Sequence, residues 1–357
     1  MLVTALSASA IAQQPSQPDT ETLRQYADKL GIGIGAGIQG AYWNRDPQLR
    51  ATLAREFNRA VSIVPMRLTE PARSQFDFDS MNRDMEFAKQ HNMKLFGTTL
   101  VYRNPEAAPW LRFNTADCGG WSPADLDQIV KNYIVTLVHR GSDAYFAWDV
   151  VNEPTAPGHN ACWTRIFGYE EIIAKAFRYA REASPDTLLV INDTFGHAGL
   201  DRERVDNFFG LVKRLKSQGV PIDAVGTEMH LEAQELHPDY VAEFKYFLDA
   251  ARQLGVQVLI TELDVYQGPP GKVADALGTQ KTIYYNIVRS CVQDLNCKSI
   301  VIFGVTDKYS WLRTVREMDD ASPLLFDDNY RKKPAYYGVL QALREGRESP
   351  VATSHNN

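Results

Sequence analysis

Residues 224–265 read AVGTEMHLEAQELHPDYVAEFKYFLDAARQLGVQVLITELDV, and this stretch decides the fold class. It opens with an apolar run over 224–231 and closes with a second run, rich in β-branched residues, over 256–265. Between them, residues 238–254 place apolar side chains with the period of a helix. A helix flanked by two such runs is typical of a βαβ unit, in which the two strands are parallel.

Runs of the same kind recur along the chain. The predicted strands are Ile32–Ile38, Ser62–Leu68, Lys94–Tyr102, Ala144–Asn152, Leu188–Asn192, Ala224–Leu231, Val256–Val265 and Ser299–Val305. Segments with helical periodicity lie between most of them, and a last helix is predicted near Pro334–Leu343. Strand and helix alternating eight times predict one α/β domain, a closed (β/α)₈ TIM barrel.

An open, doubly wound sheet is the rival fold, because Gly35–Gly40 spells the G-x-G-x-x-G pattern of dinucleotide-binding proteins. In that fold a helix begins directly after the glycines. Here the chain continues with Ala41-Tyr42-Trp43-Asn44-Arg45-Asp46, which does not start a helix. We therefore interpret the glycines as a site of close packing between strands.

Charge and composition exclude some classes of partner. Among 357 residues, 38 Lys and Arg stand against 44 Asp and Glu, which gives a formal net charge of −6. An acidic chain is a poor electrostatic binder of nucleic acid or of an anionic membrane. Beyond the first residues, no apolar run approaches the roughly 18 residues that a membrane-spanning helix needs. We expect a monomer without a nucleic-acid or membrane partner.

The N-terminus resembles an export signal. Residues 2–12 carry no charge and end in Ala10-Ile11-Ala12, a small-x-small pattern typical of signal cleavage, although a basic segment before them is missing. A disordered or weakly helical terminus is the alternative. We predict a secretory signal peptide over 1–12, a segment leading into the barrel over 13–31, the barrel domain over 32–345 and a polar tail over 346–357. The predicted location is extracellular.

Four cysteines fit an oxidising compartment. Cys291 and Cys297 flank a five-residue segment, while Cys118 and Cys162 lie in two loops rich in Gly, Pro and Asn. Four cysteines allow three connectivities, of which we favour Cys291–Cys297 with Cys118–Cys162. The chain has no Cys-x-x-Cys pattern, which argues against structural zinc.

Two glutamates end predicted strands. Glu153 follows the fourth strand and Glu262 lies near the end of the seventh. In a TIM barrel the chemistry is at the carboxyl ends of the strands, and strands four and seven face each other across the mouth. Two carboxyl groups in that relation can flank one glycosidic bond, as they do in retaining glycosidases. A solvated loop position is the alternative for either glutamate taken alone.

His230 and Asp264 extend this set. The period of two in a strand puts Glu228 and His230 on one face, and Asp264 on the same face as Glu262. A histidine between Glu262 and Asp264 could hold the first of these in place and keep it ionised. A metal site built from Glu228, His230 and Asp264 is conceivable, but their spacing matches no metal motif that we recognise, so we predict none.

The chain resembles glycoside hydrolase family 10, the retaining endo-β-1,4-xylanases, which are secreted (β/α)₈ barrels. The resemblance runs from about Ile32 to Leu343. It is strongest in five motifs, which are WDVVNEP (148–154), PIDAVGTEMHL (221–231), ITELDV (260–265), GVTDKYSW (304–311) and PLLFDDNYRKKPAY (323–336).

The resemblance implies a role for each motif residue. Glu153 would be the acid/base and Glu262 the nucleophile, supported by His230 and Asp264. Asn152 would donate a hydrogen bond to the 2-hydroxyl of the sugar, and Trp311 would form a wall of the sugar site. The Cys291–Cys297 pair is similar to a disulfide common in the family. The double-displacement reaction of the family needs neither a cofactor nor a metal.

The sequence departs from the family in the substrate cleft. After strand two the family usually has E-N-x-M-K, whose polar side chains hold the glycone sugar, whereas residues 61–71 read VSIVPMRLTEP. After strand three, G-H-T-L-V-W-H is replaced by GTTLVYR, which puts Tyr102 and Arg103 at the cleft. Phe303 stands where the family has Trp, and Glu228 where it has Gln. An extra carboxyl near Glu153 raises one apparent pKa of the group, so the acid is expected to stay protonated to higher pH.

These observations predict a secreted retaining β-glycoside hydrolase that cleaves β-linked plant polysaccharide, with xylan as the default substrate. Loss of buried sugar-binding groups can change selectivity by roughly 10⁴-fold. The alternative is therefore a family member for another β-glycan or for a glycoside with an apolar aglycone, such as a saponin, which some members cleave. A carbohydrate- or protein-binding barrel without activity is a third reading, opposed by the retention of both glutamates.

Overall fold

The computed structural model describes residues 20–38, 40–156 and 161–348. The predicted signal peptide over 1–12 and most of the polar tail lie outside them. Eight parallel strands pair in chain order and close into a barrel, β1 with β8, which confirms the predicted TIM barrel. The strands are β1 Gly33–Gly37, β2 Arg59–Ile63, β3 Lys94–Thr98, β4 Tyr145–Asn152, β5 Leu188–Thr194, β6 Ala224–Glu232, β7 Gln257–Tyr266 and β8 Cys297–Ile302.

Helices surround the barrel. They are α1 Leu23–Leu30, α2 Pro47–Glu56, α3 Met66–Thr69, α4 Asp79–Gln90, α5 Pro123–Gly141, α6 Ala161–Phe167, α7 Tyr169–Ala183, α8 Arg202–Ser217, α9 Tyr240–Gln253, α10 Ala276–Gln293, α11 Trp311–Thr314 and α12 Pro334–Glu345. Polar caps begin several of them: the Asp46 carboxylate accepts the N–H of Gln48 at 3.0 Å, and Pro47 occupies the first position of α2. None of the helices within the described ranges is long and apolar enough to cross a membrane.

Two apolar layers stabilise the barrel. The inner cluster takes one buried side chain from each strand from β2 to β8, namely Val61, Phe96, Ala147, Val190, Ala224, Leu259 and Val301. The larger cluster lies between the outer faces of the strands and the helices. Since the interior is filled by side chains, the open space for a ligand is at the mouth of the barrel.

The first glycine of the G-x-G-x-x-G stretch, Gly35, packs two strands closely, as predicted. A β-carbon at Gly35 would lie 2.9 Å from the β-carbon of Arg59 on β2, closer than real contacts allow. The next α-helix begins only at Pro47. With the sheet closed, the open doubly wound alternative is excluded.

Three segments differ most from the predicted elements, and one is the third strand, which ends at Thr98 rather than at Tyr102. The second strand spans Arg59–Ile63 rather than Ser62–Leu68, because Pro65 precedes a short helix, α3, in which Leu68 is 51% exposed. The segment before residue 32 is part of the barrel's shell, since α1 buries Leu23 and Ala27 in the outer cluster and packs against α12.

Both predicted disulfides are present. Cys118–Cys162 joins the loop after β3 to α6, and Cys291–Cys297 joins the end of α10 to the start of β8. The first closes a separation of 44 residues and the second a separation of 6. The longer closure lies beside the mouth, where it ties together two connections on the same side as Glu153.

Candidate active site

The predicted site residues meet at the carboxyl ends of β4, β6 and β7. In the pairing of β6 with β7, Glu228 lies opposite Glu262 and His230 lies opposite Asp264. The register shifts between Thr227 and Glu228, so both pairs fall on one side of the irregularity. The sheet therefore aligns four titratable side chains in two adjacent rows.

His230 links the two acidic residues of β7. Its Nδ1 lies 2.9 Å from Oδ2 of Asp264, and its Nε2 lies 3.2 Å from Oε2 of Glu262. Asp264 also accepts a hydrogen bond of 2.6 Å from the indole N–H of Trp311, whose ring lies 4.9 Å from the ring of His230. These contacts form a chain, Trp311–Asp264–His230–Glu262, that fixes the position of the Glu262 carboxylate.

Electrostatic attraction explains why this series of hydrogen bonds is stable. Burial alone would lower the pKa of His230, but the charges and hydrogen bonds of Asp264 and Glu262 raise it well above its usual value. The imidazolium can then donate both N–H groups to the carboxylates. Burial raises the pKa of Glu262, and the hydrogen bond and charge of His230 act against that rise. His230 thus favours the ionised form of Glu262.

Glu228, like Asp264, is an almost fully enclosed carboxyl of the group. It is 3% exposed, and its Oε1 accepts a hydrogen bond of 3.1 Å from Asn192. Burial first, and then the charges of Glu262 and Glu153, raise its pKa well above the usual value. Glu228 therefore takes up a proton more readily than an exposed glutamate, which limits the number of like charges in the cluster.

The same cluster has the outline of a metal site. Glu228, His230 and Glu262 each bring one possible ligand atom, all within 4.8 Å of one another. However, both ring nitrogens of His230 already contact carboxylates, and the raised pKa favours the imidazolium, which cannot ligate a metal. The arrangement suits ion pairing rather than metal binding.

Glu153 follows β4 with an unusual backbone. Its φ is +46°, in the left-handed region, and its N–H donates to the carbonyl of Asn192 at 2.8 Å. The hydroxyl of Tyr102 donates to its Oε1 at 2.8 Å. Burial and the charge of Glu153 raise the pKa of Tyr102, so the phenol keeps its proton. A strained residue held by two hydrogen bonds is a common feature of catalytic positions.

Two buried polar residues that the sequence analysis did not propose support the site. Asn192 on β5 donates to Asn152 at 2.7 Å and accepts from Thr261 at 2.7 Å, besides its bond to Glu228. Asp149 on β4 accepts from Thr98 at 2.9 Å, and its other oxygen is buried without a hydrogen bond. A polar residue inside an apolar strand, next to a catalytic candidate, is the signal that could have identified both.

The remaining predicted cleft residues divide into two groups. Phe303 contacts the core of the site, with its ring 5.1 Å from that of His230, and Asn152, the last residue of β4, is 5% exposed. Arg103 is at the edge, where its side chain is 46% exposed, lies over the ring of Tyr102 at 4.9 Å and approaches Glu106 at 4.0 Å.

A cavity of about 410 Å³ extends from this site toward β1 and β2, and it is lined by Phe303 and Trp311 at one end and by Ile63 and Leu68 at the other. A larger groove of about 660 Å³ lies between the ends of α9 and α10, beside the start of β8. That groove is at the opposite end of the barrel and is lined by paired charges such as Arg252 with Asp294. Its position separates it from the chemistry.

Comparison with known proteins agrees with this geometry. The family model described as glycosyl hydrolase family 10 matches residues 22–342. An endo-1,4-β-xylanase B of Thermotoga neapolitana is 32% identical over 336 residues, which are 90% of this chain and 92% of that protein. An exoglucanase of Acetivibrio thermocellus is 31% identical over 94% of this chain, although the chain spans only 30% of that longer protein. The crystal structure of xylanase 10B from Thermotoga petrophila with xylobiose superimposes with a TM-score of 0.82 at 30% identity, over 92% of this chain and 99% of that one.

Proposed function

The chain belongs to glycosyl hydrolase family 10 and is an O-glycosyl hydrolase, and we propose that it is a secreted, retaining β-glycosidase of the endo-1,4-β-xylanase type. The observation that carries the proposal is the series of hydrogen bonds Trp311–Asp264–His230–Glu262. It orients one carboxylate on β7 and favours its ionised form. A second carboxyl, Glu153, directly follows β4 at the same mouth.

In the first step, an ionised oxygen of Glu262 attacks the anomeric carbon of the sugar while the bond from that carbon to the glycosidic oxygen breaks. Glu153 gives its proton to the departing oxygen, so the leaving sugar departs as a neutral alcohol. The product is a glycosyl ester of Glu262, in which the configuration at the anomeric carbon is inverted.

In the second step, Glu153 is ionised and accepts a proton from a water molecule. The oxygen of that water bonds to the anomeric carbon as the ester bond to Glu262 breaks, and the second inversion restores the original β configuration. Tyr102 holds the carboxyl that makes this switch in place, because its hydroxyl donates to Oε1 of Glu153 at 2.8 Å. Asn152 is placed beside Glu153 in sequence, where we expect it to donate to the 2-hydroxyl of the sugar.

Two features support export. The uncharged run over 2–12 ends in a small-x-small pattern. Within the described residues, all four cysteines form disulfides, which persist in oxidising compartments and are rare in the cytosol. Expression with residues 1–12 present and removed, followed by assay of the culture medium, tests this part. Equal amounts of enzyme in the medium from both forms would contradict a signal at that place.

Xylan is the first candidate substrate, because relatives of about 30% identity are named endo-1,4-β-xylanases and one neighbour structure holds xylobiose. A different β-glycoside, such as another β-glycan or a saponin, is the second candidate. It is favoured by the apolar pair Ile63 and Leu68, which is 45% and 51% exposed beside the cleft where the family usually has polar groups.

Product analysis on xylan, cellulose, mixed-linkage glucan and a steroidal glycoside panel tests the two candidates. The matched control is Glu262→Ala, which removes the nucleophile and should lower turnover by at least about 10⁴-fold. If the wild type is no faster than Glu262→Ala on any of these substrates, the enzymatic proposal is refuted and a binding barrel remains. Proton NMR of the first product tests the mechanism, since an α-anomer released from a β-linkage would contradict retention.

A further inference from the structure

We propose that the cavity between β1, β2 and the segment after β8 binds an aromatic acyl group, carried as an ester on the glycone part of the substrate. The inference rests on the proposed function, because it uses the roles of Glu153 and Glu262 to orient the substrate. It adds a chemical class of substrate to a part of the cleft where the family resemblance predicts polar contacts that this chain lacks.

The cavity is on the glycone side of the bond that is cleaved. Glu153 on β4 must reach the departing oxygen, so the leaving group extends toward β4. The ring that becomes attached to Glu262 lies against the opposite wall, beside Phe303 and Trp311. Both of these residues also line the cavity, so it continues the glycone site without a break. In a β-1,4-linked chain the glycone continues through its 4-hydroxyl, which makes that oxygen the natural place for a group that enters the cavity.

The far end of the cavity is apolar. Ile63, the last residue of β2, and Leu68 on α3 are 45% and 51% exposed, and both line the cavity. Few large apolar side chains among the described residues are exposed to this extent, so the pair is distinct from the core. A neighbouring pair of exposed apolar side chains in a concave site is typical of a surface that binds an apolar ligand.

The two charged residues that line the described part of the cavity, Arg83 and Asp84, are already paired. The guanidinium of Arg83 donates to Oδ1 of Asp84 at 2.9 Å and to the hydroxyl of Ser80 at 2.9 Å. Oδ2 of Asp84 accepts from Ser62 at 2.7 Å. Sugar hydroxyls that entered this end would lose water without gaining the donors and acceptors that usually replace it, which is unfavourable.

Aromatic rings form the side walls, and they are held in place. Tyr42 and Tyr309 stack with ring centres 4.0 Å apart. The carboxylate of Asp46 accepts from Tyr309 at 2.8 Å and from Tyr330 at 2.7 Å, and Lys308 approaches it at 3.2 Å. Since the walls are ordered before a ligand arrives, a flat aromatic group can bind them without a large loss of conformational entropy.

The volume of about 410 Å³ falls within the range of about 300–1,000 Å³ that is usual for small-molecule sites. An aromatic acyl ester fits the lining better than a further sugar, because its ring can contact Tyr42, Ile63 and Leu68 and it brings fewer hydroxyl groups that would have to lose water. Burial of such a ring contributes enough apolar contact to change affinity by about tenfold or more.

Binding of thioglycosides, which resist hydrolysis, tests the proposal apart from catalysis. The two ligands are 4-nitrophenyl 1-thio-β-D-xyloside and its 4-O-benzoyl ester, and titration calorimetry gives the dissociation constants for the wild type. We expect the ester to bind at least about tenfold more tightly. Equal affinities, or no measurable binding of the ester, would overturn the inference. The nitrophenyl group is common to both ligands, so contacts on the leaving side cancel in the comparison.

Variants locate the preference. Leu68→Asn and Ile63→Asn should reduce the preference for the ester to less than about threefold, whereas Leu68→Met should keep it. Leu277, an exposed leucine on α10 outside the cavity, provides the matched control Leu277→Asn, which should also keep the preference. If Leu68→Asn and Leu277→Asn behave alike, the ester binds elsewhere and the inference is wrong. Failure to hydrolyse the oxygen-linked xyloside, with the binding preference intact, would count against the proposed function alone.

Discussion

Two parts of the barrel mouth are built in opposite ways. The catalytic floor, formed at the ends of β4, β6 and β7, holds Glu153, Glu228, His230, Glu262 and Asp264 in mutual contact or within reach of one another's charges. The glycone wall, formed at the ends of β1 and β2 and after β8, presents apolar and aromatic surface, and its charged residues Arg83 and Asp84 are paired with each other. The catalytic floor supplies the reacting groups, and the glycone wall determines which substrates bind. Catalytic residues alone therefore do not determine the substrate class.

The largest effect tests the floor at β4. Glu153→Gln removes the proton donor, so glycosides with poor leaving groups should be cleaved up to about 10⁴-fold more slowly, while activated aryl glycosides should lose much less. The measurement is kcat/KM for a series of aryl β-xylosides with leaving groups of different acidity. A uniform loss across the series would mean that Glu153 does not protonate the departing oxygen.

A smaller effect tests the hydrogen-bonded chain on β6 and β7. Asp264→Asn keeps the shape of the side chain but removes the charge that favours the imidazolium of His230, so kcat should fall roughly 10²- to 10³-fold with little change in KM. Because the pKa of His230 is raised in the folded protein, its loss of a proton should move to lower pH in the variant. Asp249→Asn, at an exposed position on α9, is the control and should leave kcat unchanged. A fall in KM and kcat together would indicate a different role for Asp264.

Glu228→Gln tests the departure from the family on β6. Burial and the charges of Glu262 and Glu153 raise the pKa of Glu228, so at acidic pH both Glu228 and its replacement are uncharged and activity should be similar. At alkaline pH, ionised Glu228 opposes loss of the last proton from the carboxyl cluster. Two further charges act on Glu228: that of His230 lowers its pKa and that of Asp193 raises it. The basic limb of kcat/KM, followed from about pH 4 to pH 9, should therefore fall at lower pH in the variant. Profiles that coincide over the whole range would refute this.

The smallest effect is expected at the edge of the cleft. Arg103 is half-exposed and its approach to Glu106 is 4.0 Å, so ion pairing there is weak and screened. Arg103→Ala should change KM for xylo-oligosaccharides by no more than about fivefold, since a single exposed pair is worth at most about 1 kcal/mol. A tenfold rise in KM would move Arg103 from the edge into the glycone wall and weaken the contrast between the two regions.

The sequence predicted the floor better than the wall, for a physical reason. Alternating periodicity locates strands and their carboxyl ends, and that is enough to bring Glu153, Glu262 and His230 to one mouth. The stretch 63–68 is largely apolar too, but its Ile63 and Leu68 are exposed and line a cavity, and an apolar run does not distinguish a buried strand from an exposed binding surface. The second strand was therefore predicted too late in the chain.

Contacts between strands were also beyond the reach of sequence patterns. Asn192 lies in the predicted fifth strand, and the structure gives it 0% exposure. Its links to Asn152, Glu228 and Thr261 depend on the register of three neighbouring strands, which periodicity does not supply. Similarly, the bond from Tyr102 to Glu153 depends on how the chain turns after β3.

The left-handed backbone of Glu153 has a consequence for the evolution of heat resistance in this enzyme. A side chain held at φ +46° costs roughly 1 kcal/mol or more, and glycine would avoid most of that strain. A selection for melting temperature alone would therefore favour replacing the residue that we propose as proton donor, and the more durable protein would be inert. Thermal stability and turnover make opposite demands on this one position. A search for more thermostable variants therefore has to keep Glu153 and gain stability elsewhere.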